Sequence, residues 1–427
     1  MIDELKFETL IGVMGSVFEG EQDTRASNKQ YSLSDLGLAA FSVFYMQSPS
    51  FLAWQREMES RKGQSNVQSL LGTERIPSDE QIKNVLDGYH PDSLGVVYRY
   101  VINSLAAAGQ LRSFSCQGRI LIALDGRQYH HSKKISCSQC SCIEREDSVH
   151  YQHSVVLPVL VSPHCSEVLC LEPEFVLPQD GHDKQDCETA AAKRWLTTKL
   201  ANYDVDKPVI LGDDLYCHQP MCEQVLAAKA NFVFVCKPKS HPHLYEYLDL
   251  TPLEHHEIFL EDQVKLSYRF ANGLPLRDSS DALFVNWCDI TITDKQGKQI
   301  YYNSFATDIL LTSETVIDVC SYGRARWKVE NEGNNTLKTK GYHFEHNFGH
   351  GEHYLSALLV SLMLLAFLFH TLFDLFDSLY QAIRQRLATR KTFFDDLRAL
   401  TRYHCFDSWH RLLSFMAHGL ELDFDSS

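Results

Sequence analysis

The stretch that decides the fold is Arg119-Ile-Leu-Ile-Ala-Leu-Asp125-Gly126, a short apolar run that ends in an acidic residue and a glycine. A run of this length, rich in Ile and Leu, is typical of a buried strand. A second run of the same kind, residues 208–212, also ends in acid, at Asp213 and Asp214. The sequence therefore predicts two buried strands, each with an aspartate at its carboxyl end.

The segments around these two runs alternate between strand and helix patterns. Further strands are predicted at residues 154–162, 167–176 and 232–236, and helices at residues 185–200 and 221–228. Alternation of this kind is expected for a mixed sheet covered by helices. The predicted fold class is therefore α/β, with residues 119–238 forming the first part of its core.

The rest of the chain divides into four regions by pattern. Residues 1–118 have helical patterns, and residues 64–87, with a turn at Gly72, are either a DNA-binding helix pair or plain helical packing. Residues 239–314 alternate as strands do and predict a β-rich insertion. Residues 315–383 predict the second part of the core, and residues 384–427 a basic helical tail.

Residues 355–373 are nearly all apolar and about as long as a membrane span. The stretch contains Ser356, Ser361 and His370, and acidic residues follow it instead of the Lys/Arg cluster that favours a cytoplasmic boundary. It therefore predicts a buried core helix and no membrane association.

Composition excludes several classes of protein. The 427 residues are 44% hydrophobic and 22% charged, which excludes wholesale disorder. Forty Lys and Arg against 55 Asp and Glu give a net charge of −15, so any nucleic-acid contact must use local basic patches. The acidic N-terminus is unlike a secretory signal, so the 13 cysteines are expected to be reduced thiols in the cytoplasm.

Carboxylates that meet at the ends of neighbouring strands can hold two divalent cations about 4 Å apart for phosphoryl transfer. Asp125 and Asp213 are the candidates. A third acid lies in Arg324-Ala-Arg326-Trp327-Lys328-Val329-Glu330, where Arg326 and Glu330 are one helical turn apart. The alternative interpretation of this segment is a solvated helix with salt bridges on its surface.

Taken in order, Asp125-Gly126, Gly212-Asp213-Asp214-Leu-Tyr216 and Arg326-Trp327-Lys328-Val329-Glu330 resemble the catalytic series of bacterial insertion-sequence transposases of the cut-and-paste group. Residues 173–181, 184–188 and 341–351 are similar as well, and the resemblance covers about residues 35–370. It implies an RNase H-like core interrupted by a β insertion. It also implies that Asp125, Asp213 and Glu330 are the catalytic acids, with Asp214 and Glu332 as competitors.

The resemblance further implies Mg²⁺-dependent cleavage at the inverted-repeat ends of a mobile DNA element, and strand transfer into target DNA. The three acids would hold two Mg²⁺ ions, for which Mn²⁺ can substitute. The partners would be double-stranded DNA and, in the synaptic complex, a second copy of the chain in a homodimer. Such a protein is cytoplasmic and is associated with the nucleoid when bound to DNA.

The group also has a Tyr-Arg-Glu-Lys signature, which this chain matches only in part. Glu330 follows Arg326 by four residues, as in the signature, but Arg326 follows Tyr322 by four residues instead of three. Lys338 follows Glu330 by eight residues instead of seven. Tyr322, Arg326 and Lys338 are the implied DNA contacts. Lys237 and Lys239, which follow the strand after the second acid, are further candidates.

Cysteine and histidine clusters offer a different chemistry. Cys137, Cys140 and Cys142, with His150 and His153 downstream, could form a zinc half-site or be free thiols in a loop. The alternative metal site is a histidine-rich run in which glycines interrupt the helix, so that a polar turn is favoured. That run contains His343, His346, His350 and His353.

Two other functions stay open beside the transposase. One is an RNase H-like structure-specific DNA endonuclease without strand transfer, and the other is a catalytically inactive zinc-containing DNA-binding protein. A Gly-rich phosphate-binding loop and a Gly-x-Ser-x-Gly motif do not occur in the sequence, which argues against an ATP-driven enzyme and a simple serine hydrolase.

Overall fold

The computed structural model describes residues 2–59, 64–145, 148–180, 184–261 and 263–422. Gly181, which belongs to the resemblance, and residues 423–427 of the predicted tail lie outside the described residues. Helix and strand together form a mixed α/β architecture, with helical regions at both ends of the described chain. The predicted α/β class is confirmed at that level.

The N-terminal region is helical, as predicted. Its helices are α1 (Phe7–Gly20), α2 (Leu33–Tyr45), α3 (Phe51–Glu57), α4 (Asn66–Leu71), α5 (Asp79–Leu86) and α6 (Gly95–Ala107). The Ser78 side chain accepts a hydrogen bond from the backbone N–H of Gln81 and thereby caps α5. Gly72 ends α4 with a φ of 67°, in the left-handed region that favours glycine.

The strands form one mixed sheet. They are β1 (Ser115–Cys116), β2 (Arg119–Ser132), β3 (Ser141–Arg145), β4 (Ser148–Ser162), β5 (Cys165–Cys170), β6 (Glu174–Phe175), β7 (Val209–Gly212), β8 (Asn231–Val235), β9 (Glu254–Phe259), β10 (Lys265–Pro275), β11 (Phe284–Thr293) and β12 (Gln299–Thr307). The main order is β3-β4-β2-β7-β8-β12-β11-β10-β9, and β1, β5 and β6 pair at the side.

Two parallel pairings form the centre of this sheet. β7 pairs in parallel with β2 and with β8, and the other pairings are antiparallel. β12 joins β8, so the strands of residues 239–314 extend the same sheet. β11 is a single continuous strand that pairs along its length with β10 and β12.

β2 is longer than the apolar run that predicted it. It continues through Asp125 to Ser132, because β4 pairs with it in antiparallel fashion as far as Tyr151. Asp125 therefore lies within a strand, and the prediction that it lies at the carboxyl end of a strand is wrong. Pairing with β7 stops at Ala123, so from there onwards β2 loses its parallel neighbour.

Helices pack around this sheet. Those downstream of β6 are α7 (Lys184–Thr198), α8 (Gln219–Ala227), α9 (Pro242–Leu250), α10 (Thr315–Ala325), α11 (Asn335–Thr339), α12 (Leu355–Phe376), α13 (Ser378–Arg386), α14 (Arg390–Tyr403) and α15 (Trp409–Gly419). A π-helical segment, Val329–Asn334, lies between α10 and α11.

α12 is long and apolar enough to cross a membrane by length and composition, but 89% of its most apolar window is buried inside the protein. It packs against α2, β5 and α13. His370 is fully buried and bonds the Tyr380 hydroxyl and the Tyr45 carbonyl at 2.8 Å each. The predicted buried core helix is confirmed.

Replacing Leu364 by alanine should lower the free energy of unfolding by about 2–5 kcal/mol, because this side chain is fully buried in α12 and its loss leaves a cavity. The control is Leu250→Ala at the end of α9, where the side chain is 86% exposed and the change should stay within about 0.5 kcal/mol. Urea unfolding followed by circular dichroism measures both. Equal losses in the two variants would contradict the placement of α12 in the core.

Candidate functional site

Asp125 of β2 and Asp213, which directly follows β7, lie just beyond the paired residues of two neighbouring parallel strands. Ala123 of β2 is the last residue paired with β7, opposite Leu211, and each aspartate comes two residues further along its chain. Both acids therefore lie near the carboxyl end of β7, and both are partly buried.

Asp125 has partners on both sides. Its Oδ2 accepts a hydrogen bond from Asn334 Nδ2 at 2.6 Å and lies 2.8 Å from Nε of Arg127, which is two residues along the same strand. Burial raises the pKa of the Asp125 carboxyl; Arg127 opposes this and the negative charge of Glu330 adds to it. Burial and Glu330 thus disfavour the ionised form of Asp125, the first candidate acid, and a nearby positive charge favours it.

Glu330 belongs to the π-helical segment, one turn before Asn334. Its Oε1 lies 3.1 Å from Nη1 of Arg326, and a third of its side chain is exposed. π-Helical turns are rare and often occur at functional sites. Because Asn334 of the same segment bonds Asp125, the third candidate acid is held next to the first.

Lys328 anchors the Glu330 segment to the sheet. Its ammonium group donates to the carbonyl oxygens of Ser162, Pro163 and Cys165 at 2.6, 3.3 and 2.5 Å, all in the turn from β4 to β5. An ammonium group has three N–H donors, and all three are used here. Lys328 therefore positions the segment.

Glu188 of α7 links the residue after Asp125 to the turn that follows Asp213. Its Oε1 accepts hydrogen bonds from the Gly126 backbone N–H at 3.1 Å and from the Tyr216 hydroxyl at 2.8 Å. A Cβ on Gly126 would lie 2.1 Å from a Glu188 carboxylate oxygen, so a side chain there would displace the Glu188 carboxylate from these bonds. Sequence reasoning included Glu188 in the resemblance but gave it no role.

Asp214, the competitor of Asp213, stabilises a local turn. It accepts hydrogen bonds from the Lys237 backbone N–H at 2.8 Å and from the Ser240 hydroxyl, and His241 Nε2 lies 3.6 Å away. Burial would raise the pKa of Asp214, but its bonds with His241, Ser240 and the Lys237 backbone outweigh burial and lower it. Asp213 accepts one such bond, from the Leu215 backbone N–H at 2.9 Å, so its carboxylate is less engaged than that of Asp214 and it is the better candidate for a metal ligand.

The predicted DNA contacts are distributed unevenly. Lys237 and Lys239 are exposed just beyond β8, at the same edge of the sheet as Asp213. Lys338 is exposed and forms an ion pair with Glu345. Arg326 is buried beside Glu330. The prediction of Tyr322 as a DNA contact is corrected. Its side chain is 3% exposed and its hydroxyl donates a hydrogen bond to the Cys116 carbonyl at 3.3 Å, so Tyr322 supports packing.

A second site contains the sulfur and nitrogen ligands. Cys137, Cys140, His153 and His350, here called the Cys₂His₂ cluster, have potential ligand atoms that all lie within 4.8 Å of one another. Cys142 is exposed, and its thiol donates to the Cys140 carbonyl at 3.9 Å, so its prediction as a ligand is corrected.

His350 was not predicted together with the cysteines, because it lies 210 residues from Cys140. In the histidine-rich run, His343, His346 and His353 are exposed, and His350 is the buried member. A clue was present in the sequence, since His350 lies between Gly349 and Gly351, where the chain can turn inwards. Gly351 has a φ of 69°.

Among the described residues, two sets could hold a metal ion by the same 4.8 Å criterion: the Cys₂His₂ cluster and a second set of Cys217, Cys236 and His241. The three candidate acids are not one of these sets. Like charges repel, and each of Asp125 and Glu330 is instead drawn towards its own arginine. The three carboxylates lie in the same region of the protein, but their oxygen atoms do not converge on a common point.

Asp125→Asn should raise the melting temperature of the metal-free protein by about 1–3 °C at pH 7–8. A carboxyl whose pKa is raised by folding contributes stability below its unfolded pKa, and this contribution is lost as the pH rises through the folded value. The gain should therefore vanish towards pH 4. Thermal melts from pH 4 to 8 in chelator measure it, with the exposed Asp278→Asn as control. A lower melting temperature for Asp125→Asn at pH 7–8 would contradict the assignment.

Comparison of the sequence with known protein families and with characterised proteins gives no match. The function must therefore be argued from the residues that the fold brings together. These are an acidic site of Asp125, Asp213 and Glu330, lined by exposed lysines at one edge, and a separate Cys₂His₂ cluster.

Proposed function

We propose that this chain is a transposase, which cleaves the inverted-repeat ends of a mobile DNA element and joins them to target DNA. The observation that carries the proposal is the parallel pairing of β2 with β7, which brings Asp125 and Asp213 to the carboxyl end of β7, with the Glu330 segment tied to Asp125 through Asn334. An acid on one central strand, a second directly after its parallel neighbour and a third on a nearby helix suit an RNase H-like catalytic core.

The acidic site fits divalent cations by its donor set. Carboxylate oxygens are hard ligands of the kind that Mg²⁺ prefers, and Mn²⁺ accepts the same ligands. Burial raises the pKa of Asp125, and the neighbouring Glu330 raises it further, so a cation there would relieve the strongest electrostatic conflict in the site. Bound Mg²⁺ would supply Lewis-acid activation of a nucleophile and stabilisation of the leaving oxygen.

The protein's own groups then have separate roles. Asp125, Asp213 and Glu330 are the metal ligands. Arg326 neutralises Glu330 and lies close enough to the acids to contact a phosphate beside them. Lys328 positions the Glu330 segment through its three bonds to backbone carbonyls.

DNA would approach over the carboxyl edge of β7 and β8. Lys237 and Lys239 are exposed there, and a neighbouring open cavity of about 510 Å³ is lined by Lys193, Asp214 and His241, among others. The net charge of −15 makes such local contacts necessary, because the chain as a whole repels phosphate. Synapsis of two element ends requires two copies of the chain, so the DNA complex is a homodimer.

Asp125→Asn, Asp213→Asn and Glu330→Gln should each lower Mg²⁺-dependent cleavage at least about 1,000-fold, because each removes a ligand charge from the metal site. The substrate is a labelled duplex carrying the DNA that flanks the gene. Glu332→Gln is the matched control, since Glu332 is exposed two residues further along and should be dispensable.

The products decide between the functions. Nicks at an inverted-repeat boundary, followed by joining to a second DNA molecule, support the transposase. Metal-dependent cleavage that ignores the boundary would instead support the structure-specific endonuclease. Tight binding without cleavage by the unaltered protein would support the inactive zinc-containing DNA-binding protein.

Lys239→Gln should weaken binding to any duplex and reduce the slope of log K against log salt by about 1, since it removes one phosphate contact. Lys229→Gln is the control, because Lys229 is exposed at the opposite, amino end of β8. Fluorescence anisotropy from 50 to 300 mM salt measures both. An unchanged slope for Lys239→Gln would remove this edge from the DNA-binding surface.

A further inference from the structure

The Cys₂His₂ cluster has the dimensions of a tetrahedral metal site. Zinc–sulfur bonds of about 2.3 Å and zinc–nitrogen bonds of about 2.0–2.1 Å require edges of about 3.8 Å between two sulfurs and about 3.5 Å between sulfur and nitrogen. The Cys137 and Cys140 sulfurs are 3.8 Å apart. Cys137 Sγ lies 3.3 Å from His153 Nε2, and Cys140 Sγ lies 3.4 Å from His153 Nε2 and 3.6 Å from His350 Nε2.

Thiol–imidazole hydrogen bonds alone do not account for this packing. Cys140 Sγ lies within 3.8 Å of Cys137 Sγ and of both Nε2 atoms, although a thiol has a single proton to donate. The Cys137 backbone N–H also donates to Cys140 Sγ at 3.4 Å, which stabilises a thiolate. A sulfur surrounded in this way suits a metal ligand.

We propose that Cys137, Cys140, His153 and His350 bind one structural Zn²⁺ ion. Two thiolates and two imidazoles are a donor set that zinc favours, and four protein ligands fill a tetrahedral site. The ion would be enclosed, since Cys140, His153 and His350 are buried and Cys137 is half-buried. A closed site of this kind has no open position for substrate, so its role is structural.

The ligands come from parts of the chain that are far apart. Cys137 and Cys140 lie between β2 and β3, His153 is on β4 opposite His130 of β2, and His350 precedes α12. Ser138 already bonds the Glu352 carbonyl through both its N–H and its hydroxyl, at 3.4 and 3.2 Å. Zinc would therefore join the strand that carries Asp125 to the chain that follows the Glu330 segment.

The test measures metal content and needs no DNA, so it is independent of the proposed transposase activity. The full chain is purified without a histidine tag, and zinc per chain is measured by plasma mass spectrometry. Cys140→Ser and His350→Ala should lose the ion. Cys142→Ser and His346→Ala are matched controls, because both side chains are exposed and neither belongs to the cluster, and they should retain one zinc per chain.

A second measurement uses Co²⁺ in place of Zn²⁺ in the unaltered protein, in case the cluster variants do not fold. Tetrahedral cobalt with two thiolates should give strong visible d–d bands and a thiolate-to-cobalt charge-transfer band. Chelator should lower the melting temperature of the unaltered protein and of Cys142→Ser. The proposal is overturned by a zinc-free protein without these bands, by loss of metal from Cys142→Ser, or by retention of metal in His350→Ala.

Discussion

The parallel pairing of β2 with β7 is the constraint on which the acidic site depends. It brings Asp125 and Asp213 to the carboxyl end of β7, where burial and the charge of Glu330 raise the pKa of the Asp125 carboxyl. Arg127 and Asn334 contact Asp125 and stabilise its ionised form. The Glu188 carboxylate accepts bonds from Gly126 and Tyr216 and so fixes the chain just after each aspartate, but it also adds a negative charge. In the proposed transposase, a bound Mg²⁺ would offset this remaining negative charge, and the metal-free protein would be less stable for carrying it.

The proposed role of Glu330 as a metal ligand requires a fixed position for its segment, because a ligand that moves by about 1 Å no longer fits a metal site. The structure fixes it at several points. Lys328 binds the turn between β4 and β5, and Asn334 bonds Asp125. Downstream, His350 reaches the Cys₂His₂ cluster next to β2 and β4. The chain is thus attached to the end of β4 just before Glu330 and to β2 just after it, which limits how far Glu330 can move from Asp125.

How much of this was predictable depends on whether the signal is local. Asp125 and Asp213 were predictable because each follows an apolar run that reads as a buried strand. The continuation of β2 to Ser132 was not, because its last residues are polar and are held by antiparallel pairing with β4. The choice of His350 over Cys142 was not predictable either. Cys142 has the favourable local spacing but is exposed on β3, whereas His350 reaches the cysteines only through the tertiary fold.

The π-helical segment also accounts for a spacing that the sequence left unexplained. Lys338 follows Glu330 by eight residues, one more than in the signature that the chain resembles. A π-turn closes with i→i+5 hydrogen bonds and so holds one residue more than an α-turn. In the proposed transposase, the eighth residue would be accommodated in Val329–Asn334, which would return Lys338 on α11 to about the helix face that a seven-residue spacing gives on a plain α-helix. Within the same segment Asn334 contacts Asp125 while Glu330 contacts Arg326. The eight-residue spacing is therefore compatible with the proposed site, because the helix widens where the candidate acid lies.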